Sequence, residues 1–341
     1  MIKSSGQQHA RSAQSTADRT LSGTQAMKVG TATSQPAAPR SGGRRSLSLE
    51  RRRVGGAPEA GGLPSVSMWL ATASALLAAG GSVVGLLSAD QIYGQESAVL
   101  ADQATAQDLV NLLCVAPLLL VLGWRAYRGH LAAYLCWLGC VGFTVYNYAI
   151  YAFAIHFGPL FLIWVGVLGL SFFALLGTLI TLDPTAIKAG FADRKLRWPG
   201  WFLIAAATLF GLLWLSEILP DLLAERPSTS AAQWNVPTNP VHVLDLAFFL
   251  PAVATSGVLL LRRHRWGYVT AAAQLTWLAL TCLPIVVTSF VSDARGHRAD
   301  WAVAGVIGLM LLACVATLGW LLRAIGPNPG RAASLPTTNI C

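Results

Sequence analysis

Apolar runs of about 20 residues recur between positions 68 and 323, and they constrain this chain more than any other feature. An α-helix that rises about 1.5 Å per residue needs that length to cross about 30 Å of hydrocarbon. Hydrophobic residues make up 54% of the 341-residue chain and charged residues only 11%, where a soluble domain carries about 25% charged residues. The sequence therefore predicts an all-α, polytopic membrane helix bundle. We predict eight transmembrane helices, at about residues 68–88, 109–126, 130–153, 158–182, 199–219, 241–261, 267–291 and 300–323.

The first 65 residues differ in kind from the rest of the chain. They are rich in Ser, Gly, Ala, Gln and Arg, have few large apolar side chains, and end in a basic stretch at 40–53. Such a segment buries too little apolar surface to offset its chain entropy, so we predict a disordered basic tail. Two alternatives stay open: a mitochondrial transit peptide, and a translation start at Met68 that would leave the tail out of the native protein. Nucleic-acid binding is not expected, because no aromatic residues or known fold accompany the arginines.

The positions of Lys and Arg predict the orientation of the helices. Of the 24 basic residues, 21 fall in the two tails and in alternate gaps between spans, and basic residues near helix ends are retained in the cytoplasm. Both termini are therefore predicted to be cytoplasmic, in a bacterial-type plasma (inner) membrane whose anionic lipids would be a partner. The predicted organisation is a cytoplasmic tail at 1–65, helices 1–4 within 66–183, a basic cytoplasmic loop at 184–198, helices 5–8 within 199–323, and a short cytoplasmic tail at 324–341.

An internal repeat is the next most informative feature. The segment 108–117 aligns without a gap on 242–251, at a constant offset of 134 residues. The alignment superposes Asn111 on Asp245 and Pro117 on Pro251, and it extends through a shared Gly, Arg, His and Tyr. We interpret this as a four-plus-four duplication with parallel repeats, since four helices return the chain to the same side. Convergent hydropathy is the alternative.

Pro117 and Pro251 are predicted to kink their helices at matching positions. Proline removes one backbone hydrogen bond and leaves a carbonyl unpaired one turn earlier. Irregular backbone at membrane depth is tolerated only beside protein or a water-filled cavity. Paired interruptions of this kind therefore favour a binding site nearby.

Polar residues gather toward the outer ends of spans 2, 3 and 6. Asp245 is predicted to be the one acidic residue within the apolar spans, where an ionisable group needs a partner or a wet cavity. His242, three residues earlier, is the predicted partner. The predicted pocket comprises Asp108, Asn111, Asn147, Tyr151, His156, His242 and Asp245. The alternative is that the Asp245–His242 pair is only a structural hydrogen bond between helices.

Other conspicuous side chains have simpler interpretations. Glu217 is assigned to the outer interface, and the aromatic belt that anchors helices at headgroup depth is taken to account for most of Tyr146, Tyr148, Tyr151, Trp214, Trp234 and Trp301. Cys136 and Cys140, one helical turn apart, are read as small packing residues. No metal or cofactor is predicted.

Motifs for phosphate binding, zinc hydrolysis and serine hydrolysis are missing from the sequence, which disfavours ATP-driven pumps and kinase-type receptors. The favoured function is a small-solute or ion permease, or a membrane sensor with a similar cavity, that takes a small solute, an ion or a lipid. A membrane-embedded enzyme acting on a lipid or isoprenoid headgroup, with His242 or Asp245 as general base, ranks second. A non-catalytic scaffold subunit is the third possibility.

Overall fold

The computed structural model of the chain describes residues 65–191 and 196–326. Apart from residues 65 and 324–326, the two predicted tails lie outside these ranges. Within them the structure is all α, with one isolated bridge between Phe191 and Ile325. The helices are α1 (Ser65–Leu87), α2 (Ala89–Ile92), α3 (Ala98–Val110), α4 (Ala116–Tyr127), α5 (Leu131–Ala154), α6 (Phe161–Thr181), α7 (Pro184–Ala189), α8 (Arg197–Leu223), α9 (Thr229–Trp234), α10 (Pro240–Leu244), α11 (Leu250–Leu261), α12 (Arg265–Ala294) and α13 (Trp301–Leu322).

Eight stretches within the described residues are long and apolar enough to cross a membrane, as predicted. Six of them are the single helices α1, α5, α6, α8, α12 and α13. The other two, Ala98–Tyr127 and Pro240–Leu261, each consist of two α-helices joined by a π-helical turn. The all-α class and the number of spans are thus confirmed, and the chain is an integral, multi-pass membrane protein.

The second span begins well before the predicted residue 109. Ser97 caps α3, because its side-chain oxygen accepts a hydrogen bond from the Leu100 amide at 3.2 Å, and such a cap favours helix initiation. Asp102 and Asp108 therefore lie on a helix rather than in a loop, and both are buried. Asp245 is consequently not the only acidic residue within the apolar spans.

The helices α5 and α12 form the centre of the bundle. In α5, 78% of the most apolar window is buried, against 17% in both α8 and α13. The two central helices cross at Gly139, where an added Cβ would overlap the Ala273 carbonyl oxygen and the Thr276 side chain. The outer helices expose apolar side chains such as Leu212 and Leu309, which suits contact with lipid.

The two sides of the bundle differ in the helix ends that they carry. We call the side at which α5 and α12 end the mouth side. The side at which α4 and α11 end is the basic side, because Arg128 and Arg262 occupy the C-caps of those helices.

The two spans that contain Pro117 and Pro251 are each interrupted by a π-helical turn that ends two residues before the proline. These turns are Asn111–Val115 and Asp245–Phe249. The Ala116 amide donates to the Asn111 carbonyl and the Leu250 amide to the Asp245 carbonyl, five residues back in both cases. Turns of this type are rare and are frequently found at functional sites. Their positions differ by 134 residues, and so do the starts of α5 and α12.

Candidate functional site

A cavity of about 920 Å³ lies among the helices, lined by residues of α3, α5, α8, α10 and α12. Its volume falls in the range of small-molecule sites, about 300–1,000 Å³. On α12 the lining residues follow one face, at Trp277, Thr281, Pro284, Thr288 and Ser292. At about 1.5 Å per residue, this face follows the cavity for roughly 22 Å. The cavity therefore reaches deep into the bundle.

The cavity opens on the mouth side, where it reaches the exposed residues Gln233 and Arg298. Toward the basic side the helices pack closely behind it. The α5–α12 crossing at Gly139 lies there, and an added Cβ at Gly257 would approach the Gly200 carbonyl oxygen to 2.6 Å and Ile204 to 2.8 Å. Glycine at these positions lets the backbones touch, which closes the bundle behind the cavity.

Five residues form what we call the deep end of the cavity: Phe143, Tyr146, Trp214, Asp245 and Trp277. The Asp245 side chain, at the first position of the second π turn, is only 5% exposed. Its Oδ2 accepts a hydrogen bond from Trp214 Nε1 at 2.8 Å. Its Oδ1 is buried without a hydrogen-bond partner of good geometry among the described residues, although Tyr146 is close by.

Aromatic rings pack against one another beside this carboxylate. The Tyr146 ring meets Trp277 edge to face at 5.2 Å and Phe249 at 4.7 Å, and Phe249 stacks on Trp277 at 4.9 Å. Such contacts restrict ring orientation as well as burying apolar surface. The assignment to the aromatic belt is wrong for Tyr146, Tyr148 and Tyr151, which are buried within the bundle, and Trp214 has the additional role of bonding to the carboxylate.

His242 lines the cavity but is not the partner of Asp245, contrary to the sequence-based expectation. Its Nε2 lies 3.4 Å from Glu217 Oε2, and its ring centroid is 4.7 Å from that of Trp214. Glu217 is partly exposed and also lines the cavity. The sequence interpretation missed this contact because Glu217 belongs to α8, and nothing in the spacing of two separate helices shows which faces meet.

Asn147 lines the cavity from α5 and connects it to the first π turn. Its Nδ2 donates to Asn111 Oδ1 at 3.2 Å, and Gln107 Nε2 donates to the same oxygen at 2.9 Å. Asn111 does not itself line the cavity, and its Nδ2 has no partner among the described residues. These two predicted site residues are thus in contact, one in the wall and one behind it.

Asp108 lies behind the cavity wall, in a separate buried cluster. Its Oδ1 accepts hydrogen bonds from Ser82 and from Tyr151, each at 3.0 Å, and its Oδ2 accepts one from Tyr93 at 2.6 Å. Burial and the neighbouring Asp108 carboxylate raise the pKa of Tyr93 well above its ordinary range, so the phenol remains a donor. Tyr151 belongs to this cluster and also lines the cavity.

His156 lies outside the cavity, on the exposed segment between α5 and α6. Its amide donates to Glu96 Oε1 at 2.8 Å, and its Nδ1 lies 2.9 Å from Glu96 Oε2. The contact holds together the two chain segments that precede α3 and α6.

A cluster at the mouth was not predicted at all. Asp102 on α3 accepts hydrogen bonds from Ser292 at 2.8 Å, Arg295 at 3.2 Å and His297 at 2.8 Å. Asp102, Ser292 and His297 line the cavity. The cluster joins the first half of the chain to the second. Its only sequence signal is a set of polar residues near the ends of two distant spans.

Comparison with known protein families, curated proteins and solved structures finds no match to this chain.

Proposed function

We propose that the chain is a small-solute or ion permease, or a membrane sensor with the same kind of cavity, that binds its ligand beside Asp245. The observation that supports this is the buried Asp245 carboxylate in the wall of a cavity of about 920 Å³, with one oxygen that has no hydrogen-bond partner among the described residues. Leaving such a group without its hydrogen bonds reduces stability. Its presence favours a ligand-binding role over a scaffold role.

We propose further that the mouth side faces away from the cytoplasm. The basic side carries exposed Arg125, Arg128, Arg262, Arg265 and Lys188, and such residues are retained in the cytoplasm. The cavity would then be open to the outside in this conformation.

A four-plus-four duplication accounts for several features at once. The matching π turns support it, and so does the α5–α12 crossing. At this crossing Gly139 contacts Ala273, and Ala273 is the residue that aligns with Gly139 at the 134-residue offset. A two-fold axis between the central helices would place equivalent positions together in this way.

Under this duplication the two halves have taken different roles. The first-half position Asp108 has partners on both oxygens, whereas its counterpart His242 lines the cavity. Asn111, which is behind the wall, corresponds to Asp245 at the deep end. The second half would supply the carboxylate that binds the ligand, whereas the equivalent positions of the first half are structural.

Asp245→Asn is the substitution that tests the function. We would screen amino acids, amines, sugars, Na⁺ and K⁺ by thermal shift on the purified protein, then measure uptake or binding of each hit in proteoliposomes. Asp293→Asn is the matched control, because Asp293 is exposed and does not line the cavity. We expect at least one ligand to stabilise the parent and the control, and its affinity to fall by about tenfold or more in Asp245→Asn, since hydrogen bonds to charged groups are the strong ones.

Two results would contradict the proposal. One is a screen in which no ligand stabilises the parent protein. The other is a ligand that binds a folded Asp245→Asn variant as tightly as the parent.

A further inference from the structure

We propose that the ligand of the deep end is a protonated organic amine with an apolar body. This inference rests on the proposed function of the cavity and specifies its ligand. The proposal is based on a buried carboxylate oxygen that has no hydrogen-bond partner among the described residues. This oxygen is surrounded by aromatic side chains at the closed end of a large and mostly apolar cavity.

The charges that line the cavity favour a cation at the deep end. Four acidic residues line it, whereas Arg298 is the one Lys or Arg among the lining residues. Arg298 is exposed at the mouth, well away from Trp277 along α12 and the loop that follows. A carboxylate or phosphate ligand placed at the deep end would face Asp245 with no Lys or Arg of the lining nearby, and would be repelled.

The unpaired oxygen requires a hydrogen-bond donor. Asp245 Oδ2 is already bonded to Trp214, whereas Oδ1 has no hydrogen bond of good geometry among the described residues, although Tyr146 is close to the carboxylate. An ammonium N–H would supply the missing charge-assisted hydrogen bond. A quaternary ammonium has no N–H and would leave that oxygen unbonded.

The surrounding side chains suit an organic cation better than a metal ion. Trp214, Tyr146, Trp277 and Phe143 line the same end, and the faces of such rings attract cations within about 6 Å. The described residues contain no group of three or more His, Cys, Asp and Glu side chains that could hold a metal. A cavity of about 920 Å³ also far exceeds the needs of a single bare ion, and leaves room for an apolar body.

Four probes of similar shape and different charge test the inference on the full chain in detergent. Phenethylamine is the protonated amine, and its N,N,N-trimethyl derivative is the quaternary analogue. Phenethyl alcohol is the neutral analogue, and 3-phenylpropionate the anionic one. Dissociation constants come from calorimetry. We expect phenethylamine to bind at least about tenfold more tightly than each of the others, because it alone offers both a charge and a donor to Oδ1.

The variants locate the binding. Phenethylamine affinity should fall by about tenfold or more in Asp245→Asn and stay unchanged in Asp293→Asn. The comparison among the four probes uses the parent protein alone, so the inference can be refuted even if Asp245→Asn fails to fold.

The possible failures are distinguishable. If the alcohol or the anion binds as tightly as the amine, and Val303→Trp in the cavity wall abolishes that binding, the amine inference is wrong while a ligand-binding cavity remains supported. Binding of the quaternary analogue that is as tight as that of the amine, or tighter, would also refute the hydrogen bond to Oδ1. If no probe binds and the wider solute screen finds no ligand, both proposals are wrong.

Discussion

At the scale of single residues, the first half of the chain shows how a buried carboxylate is stabilised in an apolar bundle. Asp108 receives three hydroxyl groups, from Ser82, Tyr93 and Tyr151. Such a network rigidifies its surroundings when every member is satisfied. Asp245 differs from Asp108, because one of its carboxylate oxygens has no hydrogen-bond partner among the described residues.

Gly85 makes room for the Asp108 cluster. An added Cβ there would overlap the Asp108 carboxylate and lie 3.0 Å from the Tyr93 hydroxyl. We predict that Gly85→Ala destabilises the protein by about 1–3 kcal/mol, as overpacking does. Gly80→Ala is the control on the same helix, since nothing lies within 4 Å of its added Cβ. Melting temperatures in detergent compare the two, and equal values would refute the packing argument.

Tyr93→Phe removes one donor to Asp108 and leaves the ring in place. The buried Oδ2 then loses its 2.6 Å hydrogen bond, which we expect to cost about 1–3 kcal/mol of stability. Tyr127→Phe serves as the control, because Tyr127 is 55% exposed. Thermal unfolding should show a lower midpoint for Tyr93→Phe only. A midpoint unchanged from the parent would mean that the hydrogen bond contributes little.

At the scale of elements, the crossing of α5 and α12 positions the residues of both helices that line the cavity. The crossing depends on Gly139, because a Cβ there would meet the Ala273 carbonyl and Thr276. Phe143, Tyr146 and Asn147 follow on the same helix and line the cavity. A change in the separation of these helices would therefore change the shape of the deep end.

We predict that Gly139→Ala lowers stability and also weakens ligand binding at the deep end. Gly142→Ala is the matched control one turn away, since its added Cβ has nothing within 4 Å. The expected loss is about 1–3 kcal/mol for Gly139, with little change or a small gain for Gly142. Thermal unfolding and titration with phenethylamine measure the two effects. Equal behaviour of the two variants would contradict a close crossing.

At the scale of the whole molecule, the orientation proposal gives a direct labelling test. Gln95 is exposed on the mouth side, and Ala189 is exposed at the end of α7, a helix that packs against α12 near its start on the basic side. In intact cells we expect an impermeant maleimide to label Gln95→Cys and not Ala189→Cys. The parent protein, treated in the same way, measures the background labelling of the native cysteines. Permeabilised cells should show labelling of both. Labelling of Ala189→Cys from outside would invert the proposed topology.

The sequence alone was sufficient for the architecture. Eight apolar runs separated by charged gaps predict eight spanning helices, because backbone groups in hydrocarbon must be paired within each segment. The prolines at 117 and 251 marked the two interrupted spans, which the structure forms as π turns. Asn147, Tyr151, His242 and Asp245, predicted from polarity and spacing, line one cavity.

Only the tertiary structure decided which groups meet. The sequence paired Asp245 with His242 because the two lie three residues apart, whereas the structure pairs Asp245 with Trp214 and His242 with Glu217. It also separates Asp108 and His156 from the cavity. The rotation of each helix about its axis is set by packing against its neighbours, at crossings such as Gly139 on Ala273. Hydropathy specifies that a helix spans the membrane, but it carries little information about the face that each helix turns toward the others.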